Sequence, residues 1–298
     1  MRNLAHPYRE LTGGEWIRGN LHTHTTASDG ARSLQEVVAD YARRGYGFLM
    51  ISDHDTFTGA RQYDTVSNDG LVLIPGNEIT AGGPHLLHVN AGRLITPDPS
   101  RPRVLEAVRE AGGFAIVNHP NWQEAFDHCP IDLMMEWTTY AGLEIYNGTI
   151  GRLDGSPYAT NKWDMLLARG RRVWGFANDD SHLPEADVEL GWNVAYVPDR
   201  SIESVVSALR AGRFYASTGV VIDAIDVDGE TIRVRAPNAG RIVALMQTGR
   251  RFAQVDAPEI EIIVPENAVY VRFECWGAGE SSAWTQPFFV EGRVEGRG

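Results

Sequence analysis

The sequence repeatedly places a potential metal ligand at the end of a short apolar run. Runs of this kind, as in ISDHD, IPGNE and IVNHP, are expected to be buried strands that end where the polar residues begin. Imidazole and carboxylate side chains are ligands that divalent cations accept in proteins. The side chains concerned are His22, His24, Asp29, Asp53, His54, Asp55, Glu78, His88, His119, Asp179, Asp180 and His182. A set this rich predicts a site for more than one ion.

Strand and helix patterns alternate along the chain as far as about residue 218. Apolar, β-prone runs occupy 48–52, 71–75, 86–91, 114–118, 142–146, 173–177 and 192–197. Apolar residues at helical spacing occupy 33–44, 101–111, 158–169 and 201–211. Repeated strand–helix units with short links predict a mostly parallel α/β sheet, open or closed into a barrel. Because such folds build their sites at the carboxyl ends of the strands, the candidate ligands should converge there.

The composition changes after residue 218. Short β-type runs follow, separated by turn signals such as Asp228-Gly229 and Pro237-Asn238, and no histidine occurs among them. This pattern indicates a small antiparallel, sandwich-like β domain at 219–298, following an α/β domain at 1–218. We therefore expect the metal chemistry to lie in the first domain.

Charge and cysteine content exclude several protein classes. The formal net charge of −12 argues against extended nucleic-acid binding, which requires clustered lysine and arginine. With only Cys129 and Cys275 present, a disulfide framework is not expected. No stretch approaches the ~18 apolar residues of a membrane span, and the N-terminus lacks an apolar signal segment. We therefore expect a cytoplasmic protein without membrane contact, and the sequence predicts no particular oligomeric state.

Each motif alone has a simpler explanation. His22-Thr23-His24 can be polar residues at a surface turn, and Asp53-His54-Asp55 can be a turn with side-chain-to-backbone hydrogen bonds. Glu78 or His119 alone indicates almost nothing. Their occurrence in order, each after an apolar run, favours the metal site.

In motif order and spacing the chain resembles the PHP family, named for polymerase and histidinol phosphatase domains. Four motifs carry this resemblance over about residues 16–218, namely His22-Thr23-His24, Asp53-His54, His119 and Asp180-Ser181-His182. Asp29 in ASDG, Glu78 in GNE and His88 before VNAG also match. Within the family, AWTQPFFV near residue 290 and the trailing β-type runs are similar to the CehA/McbA-like branch.

The resemblance implies a distorted (β/α)7 TIM-like barrel that holds two or three divalent ions, of manganese, iron or zinc. One ion is expected to bind His22, His24, Glu78 and Asp180. A second is expected to bind Asp29, His54 and His182. A third is expected to share Glu78 and to add His88 and His119.

The same resemblance implies a metal-dependent hydrolase, and most directly a phosphoesterase acting on a small phosphate monoester or diester. Coordination can lower the pKa of water from ~15.7 to ~7, so a metal-bridging hydroxide is the expected nucleophile. The expected catalytic residues are Asp53, His54 and His182, with Asp53 orienting an imidazole or moving a proton. A carboxylic or carbamate ester hydrolase could use the same ligands. A non-catalytic binding or scaffold module is a third interpretation.

Substrate contacts are predicted after two of the strands. Trp122, Asn147 and Arg152 are expected at the mouth of the site, where they would contact a small-molecule phosphate ester. Arg152 could pair with a phosphate or be a solvated surface arginine, and Trp122 could stack on a base or be packed.

Other polar residues near the motifs are not assigned as ligands. Asp55 and Asp179 are either carboxylates that orient a ligand or structural residues. His85 is expected at the rim because it lies three residues before His88 and a strand would point the two to opposite faces. His6 and His128 are expected to be non-ligands.

Overall fold

The computed structural model describes residues 3–9 and 11–291. Within these ranges the strands are β1 Leu4–Ala5, β2 Glu15–Asn20, β3 Phe48–Met50, β4 Val72–Ile74, β5 Gly76–Ile79, β6 Leu86–Val89, β7 Phe114–Val117, β8 Tyr140–Asn147, β9 Trp174–Asn178, β10 Trp192–Val197, β11 Phe214–Ser217, β12 Ala224–Asp228, β13 Thr231–Arg235, β14 Arg241–Met246, β15 Arg250–Val255, β16 Glu259–Ile263, β17 Tyr270–Trp276, β18 Ser282–Thr285 and β19 Phe288–Val290. The α-helices are α1 Leu34–Arg43, α2 Ala60–Tyr63, α3 Arg101–Glu110, α4 Ile131–Glu136, α5 Thr160–Ala168 and α6 Ile202–Ala211. Short 3₁₀ turns lie at Thr149–Arg152 and Gln247–Gly249.

The long helices form where the sequence predicts them. Ser33 caps α1 in a reciprocal arrangement with Glu36, which satisfies backbone N–H groups at the helix start. Ser201 caps α6, and Gly212 ends it in the left-handed conformation with a φ of 77°. The predictions at 33–44, 101–111, 158–169 and 201–211 are confirmed by α1, α3, α5 and α6.

The strands form a mixed α/β fold with two large sheets. One runs in the order β1-β19-β17-β18-β11-β10-β2-β3-β4, with β14 added to β17 and β15 to β14, and the other in the order β5-β6-β7-β8-β9. Isolated parallel bridges, His54 to Glu78 and Thr23 to Ser181, connect the two sheets beside the candidate ligands. A closed seven-stranded barrel is not confirmed, because these ladders do not join into one continuous ring.

Short connections explain why the sheet is not all parallel. Only Pro75 separates β4 from β5, and proline has no N–H with which to continue a ladder. Residues 80–85 join β5 to β6, which is too short for the crossover that parallel neighbours need, so this pair is antiparallel. β10 also lies antiparallel to both β2 and β11.

The C-terminal strands form two layers around one buried cluster. The sheet β12-β13-β16 contributes Ile232 and Ile260, and β14 and β17 contribute Ile242 and Phe273. Strand pairing nevertheless crosses residue 218, because β18 pairs with β11 and β19 pairs with β1. A separate sandwich-like domain is therefore not confirmed, and the boundary at 218 stays a prediction.

A buried ion pair also ties the two parts of the chain. The Asp164 carboxylate on α5 accepts two 2.7 Å hydrogen bonds from the Arg272 guanidinium and one, also 2.7 Å, from the Tyr270 hydroxyl on β17. Gln286 exchanges two hydrogen bonds with the Gly175 backbone of β9. None of the described helices combines the length and the apolar composition that a bilayer crossing requires.

Candidate metal centre

The candidate ligands meet at one edge of the two sheets. His22 and His24 follow β2, His54 follows β3, and Glu78 lies within β5. At the same edge, His119 follows β7, and Asp180 and His182 follow β9. The sheet bridges His54 to Glu78 and Thr23 to Ser181 fix this arrangement at the backbone level.

A first donor group is fully buried. It consists of His22, His24 and Asp180, whose ligand atoms all lie within 4.8 Å of one another. The Asp180 Oδ1 atom is 3.1 Å from Nε2 of His22 and 3.1 Å from Nε2 of His24. Asp180 has a φ of 57°, so the backbone at this ligand is held in the left-handed region.

Glu78 lies between the first group and the remaining histidines. Its Oε1 atom is 3.4 Å from His22 Nε2 and 3.4 Å from His119 Nε2, and these three residues form a donor group of their own. Its Oε2 atom lies 2.7 Å from His54 Nδ1, an ion-pair contact whose alignment is not that of a hydrogen bond. One carboxylate can thus serve more than one donor group.

A second donor group faces solvent. It comprises His24, Asp29, His54 and His182. Asp29 lies 3.4 Å from both His54 Nε2 and His182 Nε2, with its side chain 56% exposed. Although burial lowers it, the pKa of His54 is raised to about 9 by the carboxylates of Glu78 and Asp29. This group is the open side of the centre.

A third donor group contains histidines that the sequence did not assign as ligands. His85, His119 and His128 bring one nitrogen each within 4.8 Å of the others. His85 Nδ1 also lies 3.1 Å from Glu78 Oε1. His128 Nε2 accepts a 3.0 Å hydrogen bond from the His85 backbone N–H, and burial lowers the pKa of His128 to about 2. His128 is therefore neutral and holds His85 in place.

His88, which the sequence predicted as a ligand, lies outside these groups, whereas His85 lies in the third group. In the β5–β6 ladder His88 is opposite Asn77, whereas Leu87 is opposite Glu78. Directly opposite residues share a face, so His88 points away from the Glu78 carboxylate. Its ring instead donates a 2.9 Å hydrogen bond from Nε2 to the Gly112 carbonyl.

Buried acceptor atoms of the first group face other acceptors, an arrangement that suits a bound divalent cation. His22 donates through Nδ1 to Glu144, so its Nε2 lone pair faces the carboxylates of Asp180 and Glu78. Within the part of the chain that the structure describes, the buried His22 Nε2 and Glu78 Oε2 atoms have no hydrogen-bond partner. Buried acceptors that face one another are unfavourable unless a cation or proton lies among them.

The pKa shifts indicate that a proton on His22 takes the place of the cation when no metal is bound. Burial lowers the pKa of His22, but the carboxylates of Asp180, Glu144 and Glu78 together raise it well above its usual value. Burial raises the pKa of Glu78 and of Asp180, yet the neighbouring histidines, His22 foremost, bring both well below their usual range. The carboxylates are therefore ionised and available to a cation.

Glu144 is a site residue that the sequence analysis missed. It is buried on β8, where Oε1 accepts from His22 Nδ1 at 2.8 Å and from Asn178 at 2.9 Å. Its Oε2 accepts from the His119 backbone N–H and from Asn147, both at 2.8 Å. A carboxylate behind a ligand imidazole fixes its tautomer and orientation. The available signal was a charged residue inside the apolar run GLEIY.

Three other carboxylates near the motifs hold backbone rather than imidazoles. Asp53 accepts 2.7 Å hydrogen bonds from the Thr25 N–H, the Thr25 hydroxyl and the Ser28 hydroxyl, so it orders the loop that leads to Asp29. Among the described residues it bonds no imidazole, so the structure gives no support to the predicted orienting role. Asp55 binds Thr80 and Ala81. Asp179 accepts from Tyr41, Leu190 and Gly191, and burial raises its pKa to about 6.

The predicted substrate residues differ in their access. Trp122 packs with ring centroids 5.1 Å from His119 and 4.9 Å from His128, and Asn147 is buried, donating to Asp180 at 3.2 Å. Arg152 is 43% exposed and binds both oxygens of Asp187, which also accepts from the His182 backbone N–H. Arg152 is the most exposed of the three, since Trp122 is half-buried and Asn147 is buried. His6 stacks on Phe288 and belongs to none of the donor groups of the described residues.

Comparison with known sequences gives partial matches. No protein-family model matches the chain. It is 30% identical over 111 residues to an error-prone DNA polymerase of Mycobacterium tuberculosis, covering 36% of this chain and 10% of the polymerase. It is 40% identical over 74 residues to the 5'-3' exoribonuclease Rnm of Escherichia coli, covering 24% and 25%. A 3',5'-nucleoside bisphosphate phosphatase of Chromobacterium violaceum is 29% identical over 93 residues, covering 30% and 33%. The chain thus spans a third or less of each relative's length.

Comparison with solved structures gives a match along the whole chain. A two-domain protein from Bacteroides vulgatus, which contains a predicted PHP-like metal-dependent phosphoesterase, has a TM-score of 0.57 and 16% sequence identity. The match covers 99% of this chain and 92% of the other. At this identity the likeness shows a shared PHP-like fold.

Proposed function

We propose that this protein is a metal-dependent phosphoesterase of the PHP family that hydrolyses a small phosphate monoester or diester. One observation carries the proposal most strongly. The buried His22 Nε2 atom and the ionised carboxylates of Asp180 and Glu78 face one another within 3.4 Å, an arrangement that a divalent cation satisfies when it replaces the His22 proton. The whole-chain likeness to a PHP-like fold supports the same assignment.

In this proposal the donor groups hold two or three ions of manganese, iron or zinc. The first would use His22, His24 and Asp180 with Glu78. The second would use Asp29, His54 and His182 with His24, and the third would use Glu78, His85 and His119. When bound, such ions make water a stronger nucleophile at neutral pH and neutralise charge on phosphoryl oxygens.

The chain's own residues would prepare the centre for that chemistry. Glu144 holds His22 and the backbone of His119, and Asn147 holds Asp180, so these ligands are oriented before any substrate arrives. The exposed second group, at Asp29 and His182, is the side from which a substrate would enter. Beside it, the Arg152 guanidinium would bind a phosphate oxygen, which suits an anionic substrate better than a neutral ester.

The proposal includes the CehA/McbA-like branch, on the strength of AWTQPFFV and of the C-terminal strands that pack against the PHP-like part. Its test is a parallel assay on p-nitrophenyl phosphate, bis-p-nitrophenyl phosphate and p-nitrophenyl acetate, with and without a chelator. We expect hydrolysis of a phosphate ester that the chelator abolishes and Mn²⁺ or Zn²⁺ restores. If the protein cleaved only p-nitrophenyl acetate, the phosphoesterase assignment would be wrong and a carboxylic ester hydrolase would take its place.

A further inference from the structure

Arg101, at the first turn of α3, donates its hydrogen bonds mainly to the loop that carries His85. It is 2% exposed, and it is surrounded by backbone carbonyl groups. Its guanidinium donates at 2.7–3.1 Å to the carbonyl oxygens of Thr80, Ala81, Gly83, Pro84 and Asp98. An arginine has five N–H donors, and all of them are used here on backbone. Four of the five acceptors lie between Glu78 and His85, both of which are proposed ligands of the third ion.

Lys162, near the start of α5, does the same for the loop that carries His119 and His128. It is the only lysine in the chain, and its side chain is 7% exposed. The ammonium donates at 2.7–3.2 Å to the carbonyl oxygens of Pro120, Phe126 and Cys129 and to the Asp127 carboxylate. The preceding residue, Asn161, accepts a 2.8 Å hydrogen bond from Asn121 in the same loop.

Arg101 and Lys162 both donate hydrogen bonds to loop carbonyls, on the two sides of the third donor group. A loop that brings ligands into a buried centre carries backbone carbonyls that no strand or helix satisfies, and each needs a donor. The loop at 119–129 is also strained, with positive φ angles at His119, Gln123 and Phe126. A long cationic side chain from the helix behind each loop satisfies several carbonyls at once.

We propose that Arg101 and Lys162 are positioning residues that hold His85 and His119 in register for the third metal ion. The inference rests on the proposed function, because it concerns the same centre. Both side chains are cations that bind loop carbonyls rather than a metal, so each acts through the loop it binds. The first donor group, carried by other strand ends, does not depend on them.

The test measures metal binding rather than turnover. Mn²⁺ and Zn²⁺ are titrated by calorimetry into wild-type protein, Lys162→Met and Arg101→Lys, and bound metal is counted by mass spectrometry. Arg171→Met is the matched control, because Arg171 also donates to backbone carbonyls, of Met135 and Trp137, which carry no ligand. We expect one of the bound ions, the third, to bind roughly 10- to 100-fold more weakly in the two test variants. Its affinity should be unchanged in the control.

A double variant separates positioning from general stability. His85→Ala removes a ligand of the third ion, so adding Lys162→Met to it should weaken the remaining ions no further. Equal weakening of every class of ion, or unchanged binding in correctly folded Lys162→Met and Arg101→Lys, would overturn the inference. If Lys162→Met does not fold, Lys162→Arg, which keeps the charge, replaces it in the titration. Lys162→Arg is expected to weaken binding of the third ion alone. A wild-type protein that binds no metal would instead refute the proposed function.

Discussion

Replacement of Glu144 by glutamine tests the support beneath the metal centre. The change keeps the shape of the side chain but turns one acceptor oxygen into an amide donor. At the Oε2 position that donor would face the His119 N–H and the Asn147 amide, both at 2.8 Å. At the Oε1 position it would face His22 and Asn178. Asn178 cannot simply turn over, because its Oδ1 already accepts from Leu21 and Asn193.

The structure sets the size of the effect. At least two hydrogen bonds to a charged acceptor are lost, each worth about 1.5 kcal/mol at the low end of the usual range, so the loss is about 3 kcal/mol. At an unfolding entropy of roughly 2.1 cal/mol/K per residue, this lowers the Tm of a chain of this length by about 5 °C. Loss of the carboxylate behind a ligand imidazole also weakens metal binding about 10- to 100-fold.

The assay combines thermal unfolding of metal-free protein with calorimetric titration of Mn²⁺. Glu189→Gln is the control, because Glu189 is a carboxylate that pairs with Arg18 and Arg44 near the surface. Its loss should cost about 1 kcal/mol or less and leave metal affinity unchanged. If Glu144→Gln behaved like this control in both measurements, the supporting role of Glu144 would be refuted.

Other substitutions test further parts of the structure. His85→Asn should weaken metal binding, whereas His88→Asn should leave metal stoichiometry intact, and calorimetry that gave the reverse order would restore His88 as the ligand. Asp164→Asn should destabilise the protein by about 3 kcal/mol in urea unfolding, because Arg272 keeps a buried charge with a weakened partner, and a midpoint unchanged from wild type would contradict this. Although burial lowers it, the pKa of His54 is raised to about 9, so metal-free protein gains stability from protonated His54 below its unfolded pKa of 6.5 and loses that gain as pH rises through 9. Metal binding at pH 7.5 should therefore release protons from His54 and from His22, whose pKa is also raised, measurable by calorimetry in buffers of different ionisation enthalpy, and binding without proton release at that pH would contradict both shifts.

The sequence indicates the candidate ligands because they follow local apolar runs. His22, His24 and Asp180 come together because strand ends meet at one edge of a sheet, a property that short-range patterns reveal. The sequence alone could not decide between His85 and His88. Period-two alternation correctly indicated opposite faces, but only the pairing of β6 with β5 decides which face holds Glu78.

Contacts between residues far apart in the chain could not be predicted from the sequence patterns. Glu144 lies 122 positions from His22, and nothing in a single sequence indicates that the two side chains meet. The same holds for the ladder that joins β11 to β18 across the predicted domain boundary. Closure of a barrel also depends on such pairings, which is why a repeating strand–helix pattern overstated how regular the sheet would be.

The most direct test of the central claim is hydrolysis of bis-p-nitrophenyl phosphate and of p-nitrophenyl phosphate, measured against the number of metal ions bound per chain. Metal-free wild-type protein is titrated with Mn²⁺ or Zn²⁺, and rate and bound metal are determined on the same samples. We predict no turnover without metal and a rise of turnover on at least one ester as the donor groups fill, lost when Asp180→Ala removes a buried ligand. Turnover that is undiminished in metal-free protein, or full metal occupancy without hydrolysis of either phosphate ester, would contradict the account.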